Sequence, residues 1–355
     1  MFDTGNKKSY PGEPTTNYGP ASFGDWATEG TAERLALGNS YEGQPTYNCR
    51  TEVGASYKGL YKTVSGLRTA AGSSGTVTVS CMVRNNNSTS YNMFAYIGHD
   101  FTSTRNIAAN SDWQKVQWTV NQSSMNNDYV EFRPYTNNAS IYLEMTMPMV
   151  EVNKGHATQF VDGTRSATQG LIDRTGNTTI DLSNVSFDSN AQMTFDGTDD
   201  YIDLGNLGLG AGAFTVSAVI YPTLASTYHV FFRKGDSSTS NDNMDWSMGY
   251  DYNQFHVRTQ NASVSINEYA GANFVNNYGH VALTYDGSTI RMYLNGSEVS
   301  NKTVTLANNY SNYSIGRGIN NYANLTVKAL AVYNKTLTAA EILQNYNATK
   351  SRFGL

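Results

Sequence analysis

The chain has 355 residues, which suits two domains each with its own core. Charged residues make up only 15% and the net charge is −5, so there is no basic field to attract nucleic acid, and no apolar run approaches the ~20 residues a bilayer span needs. With 25 Tyr, 31 Gly and only 7 Pro in a polar, Asn- and Thr-rich background, the composition favours short strands joined by polar turns, an all-β chain.

Residues 1–16 are too short and polar to fold alone, and they contain no apolar run of the kind a secretory signal carries. From residue 17 a first β-domain is expected, extending to 165. Val77, Val79, Cys81 and Val83 alternate in "GTVTVSCMVR", and "YNMFAYIGH" over 91–99 supplies a second strand. Over 112–121, Val116, Trp118 and Val120 share a face. Val130 with Phe132, and then Ile141, Leu143, Met145 and Met147, continue the pattern. Strands of this spacing suit a jelly roll or similar sandwich. Cys49, in phase with Tyr47, and Cys81 both point inward, as small apolar residues do; whether they pair is open.

Residues 166–355 read as a second β-domain. Residues 213–222, "AFTVSAVIYP", are the dense run of a strand covered on both faces. In "HVALTYDGSTIRMYLNGSEV" (280–299), Val281, Leu283 and Tyr285 alternate with Ala282 and Thr284, and Ile290, Met292 and Leu294 alternate with Arg291 and Tyr293. Asp286-Gly287 and Asn295-Gly296 tolerate the positive φ of hairpin turns, so three antiparallel strands are expected here. The chain closes in a short helix over about 339–348. Thr338 and Glu341 form its capping box, and Leu337 and Ile342 its hydrophobic staple.

The 280–299 stretch resembles the central hairpin of concanavalin A-like (laminin G-like) lectin and glucanase sandwiches. "MTFDGTDDYIDLG" (193–205) resembles their opening strand, and "LAVYNKTLTAAEILQNYN" (330–347) their closing strand and helix. Residues 1–16 resemble the opening segment of the same sandwich, whose "D-x-x-GN" turn comes only at 171–177. The first domain then reads as an insertion, against the alternative that residues 1–16 are a floppy arm. "WQKVQW" and the 144–164 stretch resemble, more loosely, galactose-binding-like carbohydrate-binding jelly rolls. The expected architecture is therefore two β-sandwich or jelly-roll domains, the C-terminal one concanavalin A-like and bearing one short helix.

Hydrolases of this sandwich carry Glu-x-Asp-x-x-Glu along one strand, which places an acid and its partner on one face. The chain lacks that motif, and Asp196, Asp199, Asp200 and Asp203 fit turn positions. The five histidines, His99, His156, His229, His256 and His280, lack ligand spacing. The resemblance allows calcium, for which Asp236, Asn241, Asp242 and Asp245 could supply oxygens from one loop. For glycan binding, the candidates are Trp246, Tyr250 and Tyr252 beside Asn241 and Asp242, with Trp26 and Tyr18 second. Packing of these aromatics inside the sandwich, or at a subunit contact, is the competing reading.

"KSYPGEPTTN", "TQFVDGTRSATQGLIDRTGN" and "NATKSRFGL" resemble virion structural proteins of tailed bacteriophages. The resemblance implies a non-enzymatic protein of the virion surface, assembled in the host cytoplasm and placed as a head decoration, head fibre or tail-fibre component. Its partners would be capsid or tail proteins, sister copies in a homo-oligomer, and a host-surface or environmental glycan. Head decoration is favoured over tail fibre because no coiled-coil or repeat shaft is visible. A free lectin or adhesin is the alternative, and a glycoside hydrolase a more distant one.

Overall fold

The computed structural model describes residues 1–355 apart from 55–57, 137, 190–191, 224–227, 237–242, 261–266, 271–274 and 319–320. The described residues are all-β apart from short helical turns and one long C-terminal helix, and they divide into two compact units. Met1–Pro14, Ser166–Asp188 and Gln192–Leu355 make up the first, and Thr15–Arg165 the bulk of the second.

The first unit is a sandwich of two antiparallel sheets. The larger has eight strands in the spatial order Ser186–Phe187, Met193–Asp196, Asn324–Tyr333, Phe214–Pro222, Gly279–Tyr285, Thr289–Leu294 and Ser297–Thr303, with Phe2–Asp3 also paired to Asn324–Tyr333. The smaller has six: Ile202–Asn206, Asn312–Ile315, His229–Gly235, Met244–Asp251, Gln254–Thr259 and Asn267–Ala270. Residues 1–14 are built into this sandwich. Phe2 pairs with Leu330, the Arg174 amide donates to the Met1 carbonyl at 2.9 Å, and the Met1 ammonium meets the Asp173 carboxylate.

The turn chemistry of 280–303 gives the strands expected of it. Asn295 and Gly296 take φ of 50° and 82°, the pair of positive values a tight hairpin needs. At the preceding turn the Asp286 carboxylate accepts the amides of Ser288 and Thr289 at 3.0 and 2.8 Å. Val281, Leu283 and Tyr285 enter the main core, while Ala282 and Tyr293 pack with Leu337 and Ile342 at the helix N-terminus. The central strands are thus covered on both faces. The helix spans Ala339–Phe353, five residues beyond the expected end, because no Gly or Pro interrupts it before Gly354, which caps it at φ 72°.

Among the described residues the second unit has two main antiparallel sheets and a two-stranded pairing of Thr15–Thr16 with Thr164–Arg165. One runs Arg105–Ile107, Tyr91–Ile97, Tyr129–Tyr135, Leu60–Thr63 and Ala27–Thr28, with Asp100–Phe101 added beside Tyr91–Ile97. The other runs Ser111–Asn121, Thr76–Asn85, Leu143–Val152, Gln44–Arg50 and Glu33–Tyr41. Cys49 and Cys81 are free thiols buried in the core between them, among Val77, Val79, Val83 and Trp118. One expectation is corrected. Met147, at φ 53°, sits in a bulge between Thr146 and Met149 that shifts the register, so the core takes Leu143, Met145 and then Val150 rather than Met147.

Candidate functional site

Strand parity decides where the candidate aromatics lie. Trp246, Met248 and Tyr250 alternate toward the sandwich core. The Trp246 ring stacks on Phe214 with centroids 4.8 Å apart, and the Tyr250 hydroxyl donates to the Asn324 carbonyl at 2.6 Å. Neither presents a ring to solvent, so packing inside the sandwich is what the structure shows for them. Tyr252, by contrast, is 73% exposed. Asn241 and Asp242 lie outside the described residues. Trp26 is also a core residue, packed between Phe23 and Phe132 with its indole N–H on the Pro20 carbonyl, so of the second pair only Tyr18 is exposed.

Of the calcium candidates, Asp245 is fully buried 3.4 Å from the Lys234 ammonium and accepts the amides of Asn309 and Tyr310 at 3.1 and 3.2 Å. Asp236 lies 3.6 Å from the Arg233 guanidinium. Both residues are therefore engaged in ion pairs with neighbouring cationic side chains. The carboxylates of Asp196, Asp199 and Asp200 gather within 4.8 Å of one another. Asp200 is spent on structure: it accepts the Ser186 amide and hydroxyl at 2.9 and 3.0 Å and the Asp196 amide at 2.7 Å. Asp196 and Asp203 each cap a turn, on the amides of Thr198 and Gly205.

The surviving candidate, Tyr252, sits at the tip of the hairpin joining Met244–Asp251 to Gln254–Thr259. Tyr252 and Asn253 take φ of 45° and 66°. Such a two-residue turn wants Asn, Asp or Gly at both places, and Asn253 complies. A bulky aromatic at the first place is strained by of order 1–3 kcal/mol and persists only where its surroundings hold it. Here the Asn253 side chain holds the turn by accepting the Val275 amide at 2.6 Å.

Behind the tip, the side of the smaller sheet that faces away from the core is polar and aromatic. Ser247, Gly249 and Asp251 stand opposite Arg258, His256 and Gln254, and His256 and Arg258 stand opposite Tyr269 and Asn267. Gly249 is required, since a Cβ there would lie 2.2 Å from the His229 carbonyl and 3.2 Å from the Tyr228 ring. Tyr228 meets His256 edge-on at 4.5 Å, and Tyr269 lies 4.4 Å from His256 on another side. The Tyr228 hydroxyl bonds Ser247 at 2.7 Å, and the Tyr269 hydroxyl donates to Asp251 at 3.2 Å. His256 Nε2 meets the Asn267 side-chain oxygen, while its Nδ1 has no partner among the described residues. Burial holds the His256 imidazole down at about 4, so it is neutral at neutral pH. Burial also pushes the Tyr228 hydroxyl upward. Ser247, His256 and Asp251 are buried in this arrangement, so the described residues present outward the half-buried Tyr228, Gln254, Arg258 and Tyr269 and the exposed Asn267, groups that pair with a hydroxylated ligand.

The family model described as the concanavalin A-like lectin/glucanases superfamily matches residues 196–343. The fold of those residues is concanavalin A-like. Among solved structures, the chain is similar to the binding domain of Paraclostridial Mosquitocidal Protein 1, at 14% identity and a TM-score of 0.39, over 49% of this chain and 48% of that one. It is also similar to a structure titled for cell entry of botulinum neurotoxin type C through interaction with two ganglioside molecules, at 13% identity and a TM-score of 0.40, over 52% and 50%. A third is the binding domain of botulinum neurotoxin DC in complex with SialylT, at 15% identity and a TM-score of 0.41 over the same shares. The chain spans about half the length of these structures. A search of curated proteins returns no match. Within the concanavalin A-like domain, sequence reasoning picked out Tyr252 but missed Tyr228, Ser247, His256, Asn267 and Tyr269. The signal was present: in "QFHVRT", His256 and Arg258 alternate with core residues Phe255 and Val257.

Proposed function

We propose that the chain is a non-enzymatic glycan-binding protein of a virion surface, and that its concanavalin A-like domain holds the sugar against Tyr252 at the hairpin tip. One observation carries the reading: an aromatic ring left 73% exposed on a turn whose backbone disfavours it. An exposed ring gives the apolar face of a sugar a stacking platform, and Gln254, Asn267 and Tyr269 behind it supply hydroxyl partners. Among the described residues of this patch Asp251 is the one carboxylate and it is buried against the Tyr269 hydroxyl, an arrangement that favours binding over hydrolysis, which requires a pair. The virion setting rests on the sequence resemblance. There the protein would dock on capsid or tail proteins and on sister copies while its loops face outward.

The test is a glycan array probed with the wild-type chain and with Tyr252→Asn, which suits the turn but removes the ring. Wild-type binding to a defined set of glycans, weakened at least about tenfold in the variant, is expected. Equal binding by both proteins would remove Tyr252 from the site. For the setting, antibody labelling of intact particles under electron microscopy should decorate the head or tail, and unlabelled particles would refute it.

A further inference from the structure

In the second unit, the six-stranded sheet turns Leu60, Ala95, Ile97, Val130 and Phe132 into the core, so the alternate residues face away from it. Tyr61, Glu131, Tyr96 and Phe101 then line up directly across four neighbouring strands. Arg133 lies over this row, 4.8 Å from the Tyr96 ring and 5.3 Å from Phe101, and donates to Glu131 at 2.6 Å. Phe101 ends the row and remains 64% exposed, with one side against Tyr96 and Arg133.

Beside Phe101 runs a groove of about 400 Å³, a size that suits one or two sugar rings. Its lining includes Asp100, Arg105, Asn121, Ser124 and Trp118. The parts are positioned: the Ser124 hydroxyl donates to the Asp100 carboxylate at 3.0 Å, and the buried Trp118 indole N–H anchors the Ser103 carbonyl at 2.7 Å. Gly98 and His99, at φ 59° and 74°, form the tight turn that delivers Asp100 and Phe101. This gives the second tryptophan of "WQKVQW" a role, since it fixes the segment that walls the groove.

We infer that this groove is a second ligand site, one that takes a neutral saccharide. Phe101 offers a stacking face, and a carboxylate, a guanidinium, an amide and a hydroxyl offer hydroxyl partners. Asp100 and Arg105 oppose each other in charge, which disfavours a strongly anionic ligand. The inference does not depend on the Tyr252 hairpin.

The experiment uses the full chain in four forms: wild type, Tyr252→Asn, Phe101→Ala and the double variant. Each is titrated calorimetrically with lactose, cellobiose and mannobiose after an array screen of neutral glycans. Phe101 lies outside the core cluster, so its truncation should leave the melting temperature unchanged. Asn121→Ala, also exposed, is the second probe of the groove. Binding of at least one neutral sugar that survives Tyr252→Asn and falls at least about tenfold in the double variant is the expected result. Full binding by Tyr252→Asn with loss only through Phe101 would leave the groove standing and the hairpin reading refuted. Loss of all binding through Tyr252→Asn alone, undiminished binding by Phe101→Ala and Asn121→Ala, or no neutral-sugar binding by the wild type would overturn the inference.

Discussion

At Lys234 a charge is kept inside the sandwich because every neighbouring group answers it. Its ammonium lies 3.4 Å from Asp245, donates to the Gly210 carbonyl at 3.0 Å and meets the Asn308 side-chain oxygen. Burial lowers its proton affinity and Asp245 restores part of it. Lys234→Met would leave the Asp245 carboxylate buried with only backbone amides to answer it. The expected loss is about 3–5 kcal/mol in urea denaturation, the range for an orphaned buried charge. Lys234→Met/Asp245→Asn should recover part of that loss. A single variant within about 1 kcal/mol of wild type would show the pair to be idle. Tyr252 is the opposite case, an exposed residue that costs stability. Tyr252→Asn should therefore raise stability by about 1 kcal/mol while it weakens glycan binding, a combination that a merely structural tyrosine would not give.

The C-terminal helix tests how an element is secured at one end. The Thr338 hydroxyl accepts the Glu341 amide at 3.2 Å, and the Glu341 carboxylate accepts the Thr338 amide at 2.8 Å. Thr338→Ala should cost about 1 kcal/mol. Because the cap fixes Leu337 and Ile342 over Ala282 and Tyr293, hydrogen exchange should speed up first in residues 339–345 and not in the central strands. Uniformly faster exchange would mean that the cap serves the whole sandwich. This helix start and the hairpins of 280–303 were legible in the sequence because their signals are local, a capping box and two turns with Gly. The bulge at Met147 was not, since nothing nearby in the sequence announces a register shift set by the neighbouring strand. The same limit applied to the candidate site. Trp246 and Tyr250 stand near acidic and amide residues in the sequence, yet strand parity assigns them to the core. His256 meets Tyr269 only because Gln254–Thr259 pairs with Asn267–Ala270, a neighbour relation that residue spacing alone does not specify.

Across the whole molecule, the histidines with lowered proton affinity all lie in the first unit. His229, His256 and His280 are buried, and burial is the leading cause in each; His256 and His280 are held at about 4. In the unfolded chain these groups titrate near 6.5. Between the two values the unfolded state binds more protons than the folded one, so stability is complete above about pH 6.5 and declines as pH falls toward 4. For His256 and His280 the loss is on the order of 3 kcal/mol each across that window. Asp173, held down at about 2 with help from the Met1 ammonium and Thr175, adds a separate loss only below its ordinary range near 4. His280 bonds Ser217 at 2.9 Å, with Tyr346 of the helix 6.0 Å away. His280→Gln should flatten the slope between pH 6.5 and 4 by roughly one titrating group. Cys49 and Cys81 provide the internal comparison. Both thiols are buried in the second unit and pushed up by burial, so they react only when that core opens. Melting of the second unit followed by thiol labelling should shift less between pH 7 and 5 than melting of the first unit followed by amide exchange in the strand Gly279–Tyr285. Equal shifts by both probes, unchanged in His280→Gln, would place the acid sensitivity outside these histidines.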